Sequence, residues 1–160
     1  MKAIIPVAGT GTKLRPHSYS QPKALIPLAG KTVLSIIIDQ LKDAGIEEFV
    51  FIIGYLGDKI YHYVKDRHSD IVAHFVGQED RKGVGHAISL AKDAVKGDEV
   101  LITLGDTICE YDIRAVLKSP HSMIGVRKVD NPGDFGVAEI DKNGFIESVI
   151  EKPSIPKSNL

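Results

Sequence analysis

The stretch Ala3-Ile4-Ile5-Pro6-Val7-Ala8-Gly9-Thr10-Gly11-Thr12-Lys13-Leu14-Arg15-Pro16, with Pro22-Lys23-Ala24-Leu25-Ile26-Pro27 close behind, decides how the chain is read. An apolar run of strand length leads into a glycine-rich turn and then a proline-rich basic segment. Glycine without a Cβ lets a backbone approach a ligand and take up φ > 0, so both Gly9 and Gly11 are expected there. Consecutive N–H groups in such a turn make a concave anion site. Ala8, Gly9, Thr10, Gly11 and Thr12 would supply those groups, and Lys13, Arg15 and Lys23 the nearby positive charge. The pattern suits a chain wrapped around a polyphosphate.

Two familiar phosphate loops do not fit. A P-loop needs the full Gly-x-x-x-x-Gly-Lys-Ser or Gly-x-x-x-x-Gly-Lys-Thr string, which does not occur here. A dinucleotide-binding turn opens directly into a helix with a third glycine. Leu14 stands where that glycine would be, and Pro16 and Pro22 oppose an immediate helix. A long loop after the first strand is therefore expected.

Further along, strands and helices alternate. Helices are expected over Thr32 to Asp43, Asp58 to Arg67 and Val84 to Val95. Strands are expected over Phe49 to Ile53, Ile71 to Val76 and Val100 to Leu104. Phe49-Val50-Phe51-Ile52-Ile53 is continuously apolar, as in a strand buried on both faces of a parallel sheet. Gly45 is a helix stop. The pattern then changes, with a short helix over Asp112 to Leu117 and strands over Met123 to Val129, Gly136 to Ile140 and Phe145 to Ile150. Asn143-Gly144 between the last two is a hairpin signal. The fold expected is α/β, a Rossmann-like, mostly parallel sheet flanked by helices, with an antiparallel β-hairpin added near the C-terminus. Ligands of such sheets gather at the carboxyl ends of the strands, where Gly9, Gln78 and Asp106 all fall.

Composition sets the bounds. The 160 residues suffice for one domain with a core, and a net charge of −1 offers no global field to recruit nucleic acid or an acidic membrane, so cations must act locally. Cys109 is the single cysteine, which excludes an intrachain disulfide and fits a cytoplasmic protein. No apolar run reaches membrane-spanning length. The six histidines show no metal-ligand spacing. Asp106, after an apolar run, suits a hard cation such as Mg²⁺, which keeps several waters and takes one or two carboxylates.

Gly9-Thr10-Gly11-Thr12-Lys13-Leu14-Arg15-Pro16 with Pro22-Lys23-Ala24-Leu25-Ile26-Pro27 resembles the signature of sugar-phosphate nucleotidyltransferases, the NDP-sugar pyrophosphorylases that include glucose-1-phosphate thymidylyltransferases. The resemblance runs on through Ala29-Gly30-Lys31, Leu104-Gly105-Asp106, Phe135-Gly136-Val137 and Glu151-Lys152-Pro153, nearly the whole chain in one order. It implies an enzyme that joins a nucleoside triphosphate, dTTP or UTP before others, to a sugar 1-phosphate with Mg²⁺ and releases pyrophosphate. It makes Lys13, Arg15 and Lys23 catalytic, and Ala8 to Thr12 with Gln78 and Gly83 nucleotide-binding. Gly136, Glu151 and Lys152 become sugar-phosphate-binding, and Asp106 the metal ligand. Lys13 departs from the arginine usual in the family, exchanging a planar fork of donors for a point charge. The family's second metal-binding aspartate has no counterpart here, and family members continue well past residue 160. The chain is thus expected to be a single, C-terminally truncated nucleotidyltransferase domain over 1–160. A homo-oligomer stays open. So do a nucleotide-binding regulatory subunit that does not turn over and a cytidylyltransferase acting on a non-sugar phosphate.

Overall fold

The computed structural model describes residues 1–160 apart from Arg15, Arg81 and the side chain of Lys13. The chain forms two compact units, Met1–Arg114 and Ala115–Leu160.

In the first unit, β1 (Lys2–Pro6) leads to the long loop. A small ladder of β2 (Pro27–Leu28) and β3 (Lys31–Thr32) follows, then α1 (Val33–Asp43), β4 (Glu48–Ile53), α2 (Gly57–Arg67) and β5 (Val72–Gly77). Two short helices, α3 (Val84–Ser89) and α4 (Lys92–Val95), precede β6 (Val100–Ile102), and α5 (Ile113–Val116), whose last residues belong to the second unit, comes after it. β5, β4, β1 and β6 form a four-stranded sheet in that order, every pair parallel. Ile4 sits between Val50 and Ile102 in register. The chain builds outward from β1 to β4 and β5, then crosses back to place β6 on the other side. Such a reversal leaves a crevice outside the carboxyl ends of the strands.

The core explains why β1 and β4 are central. Ile4, Ile5, Phe49, Val50, Phe51 and Ile52 are all buried. Each such side chain contributes about 1.5–3 kcal/mol on removal from water. Leu34, Ile37, Ile38 and Leu41 form the buried stripe of α1. Thr32 caps that helix, its Oγ1 accepting from Ser35 N at 3.0 Å. Gly45 at φ +95° ends it in a Schellman turn, with Gly45 N donating to Lys42 O and Ile46 N to Leu41 O.

A partly buried polar network ties α1 to α2. Thr32 Oγ1 donates to the Tyr63 hydroxyl, Ser35 Oγ lies 2.7 Å from that hydroxyl, and His68 Nε2 lies 2.8 Å from Ser35 Oγ. Burial pushes the His68 imidazole below its ordinary value of 6.5; Asp39 and Asp70 pull the other way, Lys42 and Lys31 with it. The unfolded chain takes up this proton near the ordinary value while the fold resists it. The associated stability is therefore complete above about pH 6.5 and is lost as pH falls below it toward the lowered value. The melting temperature is expected to fall between about pH 7.5 and 5.5, and His68→Gln to flatten that fall; equal slopes would remove His68 as the cause.

Three expectations are corrected. The helix over Val84 to Val95 is two pieces, because Leu90 and Ala91 donate to carbonyls three residues back and tighten the coil while Ala87 and Ala91 stay seated on Ile4, Val50 and Ile52. Gly9 does not have the positive φ expected of it, whereas Gly11 does, at +60°. Met123 to Val129 forms no strand; Val129 N donates to Asn159 O, but no ladder among the described residues takes up the rest.

In the second unit, β7 (Gly136–Ile140) and β8 (Ile146–Glu151) pair antiparallel around Asn143-Gly144, as the sequence leads one to expect. Asp141 accepts from the N–H groups of Asn143 and Phe145, both at 2.8 Å, and fixes the turn.

Candidate functional site

The loop after β1 is held open by its own anchors. It folds into 3-10 turns over Thr12–Leu14, His17–Tyr19 and Lys23–Leu25. Ser18 Oγ donates to Gly11 O at 2.7 Å, and Leu14 N donates to the same carbonyl. Tyr55 and Lys59 donate to the carbonyls of Tyr19 and Ser20. A Cβ on Gly11 would come within 3.1 Å of Ser18 Cβ, so both its φ and its space demand glycine. A Cβ on Gly9 would meet nothing within 4 Å. The protein's own packing does not call for glycine there. None of the N–H groups from Ala8 to Thr12 has an acceptor among the described residues.

The strand ends converge on this loop. Val7 N donates to Ile52 O and Gln78 N to Ile53 O, while Thr103 N donates to Ile4 O and Gly105 N to Pro6 O. These bonds extend the parallel ladders past the strands and align their carboxyl ends. A Cβ on Gly105 would fall 2.2 Å from Val7 Cγ1 and 3.1 Å from Pro6 O, and one on Gly54 2.9 Å from Ala8 Cβ. Both glycines let neighbouring segments close against the root of the loop. Neither was named as a site residue from the sequence, although Gly105 falls within the Leu104-Gly105-Asp106 motif and each follows an apolar run.

Asp106 is thereby set beside Lys23, 83 residues away in the chain, with Nζ donating to Oδ2 at 2.6 Å. Thr107 Oγ1 donates to the other carboxylate oxygen at 3.0 Å. Burial pushes the Asp106 carboxyl up, but the bond and charge from Lys23, with the Thr107 bond, outweigh it and hold the carboxyl below its usual value. It is ionised at neutral pH. Pro22, at φ −56°, opens the turn that aims Lys23.

Gln78 lies just past β5. Its Nε2 is 3.1 Å from Gly83 O and 3.2 Å from His86 Nδ1. Gly83, at φ +90°, precedes α3. Nothing in the sequence singled out His86 for this contact. Lys13 contributes its backbone to the Thr12–Leu14 turn, but its side chain, like all of Arg15, lies outside the described residues.

The remaining expected site residues fall in the second unit. Gly136 pairs with Glu151 across the open end of the hairpin, where a Cβ on Gly136 would stand 3.2 Å from Glu151 Oε2. Lys152 follows at φ +43°, an uncommon conformation for a side-chain-bearing residue, its N–H donating to Phe135 O at 2.9 Å. The fold brings these three together. Among the described residues no group of three or more His, Cys, Asp or Glu is arranged to hold a metal ion, and no helix is long and apolar enough to cross a membrane.

The arrangement is that of an open parallel α/β sheet carrying a glycine loop and a lysine–aspartate pair where its strand order reverses. The chain belongs to the nucleotidyl transferase family, whose model matches residues 2–160. It is 35% identical, over its whole length, to the low-salt glycan biosynthesis nucleotidyltransferase Agl11 of Haloferax volcanii, covering 47% of that protein. It is 41% identical to the bifunctional protein GlmU of Methanocaldococcus jannaschii, again over its whole length and 38% of the relative. The chain thus spans less than half of these curated relatives. The UTP–glucose-1-phosphate uridylyltransferase AglF of Haloferax volcanii is 33% identical, with the whole chain covering 68% of it. Among solved structures, a putative glucose-1-phosphate thymidylyltransferase from Bacillus anthracis superimposes with a TM-score of 0.85 at 29% identity, over 99% of this chain and 67% of that one.

Proposed function

We propose that this chain carries the nucleotide-binding part of a sugar-1-phosphate nucleotidyltransferase that uses UTP or dTTP and releases pyrophosphate. The observation that carries this reading is the run of N–H groups from Ala8 to Thr12 with no acceptor among the described residues, at the strand reversal and next to the Lys23–Asp106 pair. Backbone donors held in place at no conformational cost suit a triphosphate, whose transfer chemistry needs positioning and charge stabilisation more than covalent help. The UTP–glucose-1-phosphate uridylyltransferase and the putative glucose-1-phosphate thymidylyltransferase among the similar proteins support the sugar phosphate and the pyrimidine.

In this reading an oxygen of the sugar phosphate attacks the α-phosphorus, a new phosphorus–oxygen bond forms, and the bond to the leaving pyrophosphate breaks. Ala8 to Thr12 hold the triphosphate oxygens, with Lys13 and Arg15 adding charge. Lys23 stabilises negative charge where the two substrates meet. Gln78 and Gly83 face the base, and Gly136, Glu151 and Lys152 take the sugar phosphate. Asp106 fits Mg²⁺: its carboxylate is ionised and already accepts a cationic partner, and one protein carboxylate plus substrate phosphates is a usual Mg²⁺ environment. Bound there, the ion would neutralise phosphate charge.

The test is pyrophosphate release with Mg²⁺, a panel of triphosphates and several sugar 1-phosphates. Release that requires both substrates, with UTP or dTTP preferred, is the expected result. Triphosphate binding without release would instead make this a nucleotide-sensing subunit.

A further inference from the structure

We infer that His86 is a positioning residue that fixes Gln78 as a hydrogen-bond acceptor, so that the site selects a pyrimidine triphosphate bearing a ring N–H, uracil or thymine, over cytosine. This rests on the proposal that Gln78 faces the base.

A primary amide has two N–H hydrogens on nitrogen and lone pairs on oxygen. Gly83 O can only accept, so the atom of Gln78 facing it at 3.1 Å is the nitrogen; the reversed amide would oppose two oxygens. The same nitrogen lies 3.2 Å from His86 Nδ1, which must then accept, leaving the imidazole proton on Nε2. Both amide hydrogens are spoken for. Oε1, with no partner among the described residues, is what Gln78 has left to offer a ligand.

The histidine is held firmly enough for this task. It lies in α3, whose next residue, Ala87, is buried against Ile4, Val50 and Ile52, and Ser89 Oγ donates to the His86 carbonyl at 2.8 Å. Gln78 is held by its own N–H to Ile53 O at 2.8 Å. A free glutamine can turn its amide and meet either partner. One clamped at its nitrogen cannot. Uracil and thymine present N3–H to such an oxygen, whereas cytosine presents a lone pair at N3 and leaves two acceptors opposed.

Dissociation constants for UTP, dTTP and CTP in wild type, His86→Ala, His86→Asn and Gln78→Ala test this. Wild type should favour UTP and dTTP over CTP by about tenfold or more, the scale of one unmade buried hydrogen bond. His86→Ala releases one amide hydrogen and should narrow that ratio at least severalfold. His86→Asn supplies an acceptor oxygen near the place of Nδ1 and should restore it, which a merely structural role would not predict. If Gln78→Ala abolishes the preference while His86→Ala leaves it intact, the inference is wrong and the base-facing role of Gln78 survives. An unchanged ratio in Gln78→Ala sinks the base-facing role itself, and a wild type indifferent between UTP and CTP overturns the inference. Should His86→Ala not fold, the ¹⁵N spectrum of neutral His86 in the wild-type protein decides: a proton on Nε2 is required, and one on Nδ1 refutes the clamp.

Discussion

Lys23→Ala should lower turnover by about 10²–10³-fold, the usual cost of removing one preorganised group that stabilises developing charge. Its melting temperature should stay within a few degrees of wild type. The two effects separate because Lys23 contributes charge and no core packing. Its partner is Asp106, and both side chains are about 40% exposed, at 40% and 39%. A half-exposed ion pair of this kind contributes only about 0–1 kcal/mol. Lys23→Arg should recover part of the activity, since it restores the charge with a different shape. A large loss of melting temperature in Lys23→Ala would make the residue a brace for the loop.

Gly105→Ala is the substitution expected to do most harm to the fold around the site. The added methyl falls 2.2 Å from Val7 Cγ1 and 3.1 Å from Pro6 O, with Ile5 Cγ2 at 3.3 Å. Val7 and Ile5 are buried, so neither can swing aside into water. Overpacking of this kind costs about 1–3 kcal/mol, and each kcal/mol lowers the melting temperature by roughly 2–4 °C in a chain this long. The hydrogen bond from Gly105 N to Pro6 O would stretch, and Asp106 would move away from Lys23. Triphosphate binding in Mg²⁺ should weaken together with stability. Gly9→Ala is the contrasting case. Its methyl meets no protein atom within 4 Å, so the variant should melt like wild type and still bind triphosphate less well. If Gly105→Ala melted normally, the seating of the Asp106 segment on β1 would be wrong.

The contrast between these glycines also marks how far the sequence could be read. Gly9 and Gly11 stood out together as a turn, yet only Gly11 has the left-handed φ; which of two neighbours must bend is decided by Ser18, seven residues on. The parallel sheet was legible because Phe49 to Ile53 is apolar on both faces, and the hairpin because Asn143-Gly144 is a turn signal, although the connection proves to run from Asp141 to Phe145. Met123 to Val129 carries strand-forming Ile124, Val126 and Val129 beside Arg127 and Lys128, but a strand exists only where a partner offers its backbone, and pairing is not a local property. The pairing of Lys23 with Asp106 was not legible in the sequence, since 83 residues separate them and no spacing rule reaches so far. His86 carried no signal at all. A histidine in the first turn of a helix gains meaning only when the fold sets its Nδ1 beside Gln78.

The backbone between Ala8 and Thr12 is expected to grip a triphosphate, and amide chemical shifts followed during a titration with UTP and Mg²⁺ would report it. The N–H signals of Gly9, Thr10, Gly11 and Thr12 should move together, saturate with a single dissociation constant, and respond far less to uridine than to UTP. Shifts confined to other parts of the sheet, or a loop equally indifferent to UTP and uridine, would contradict the account.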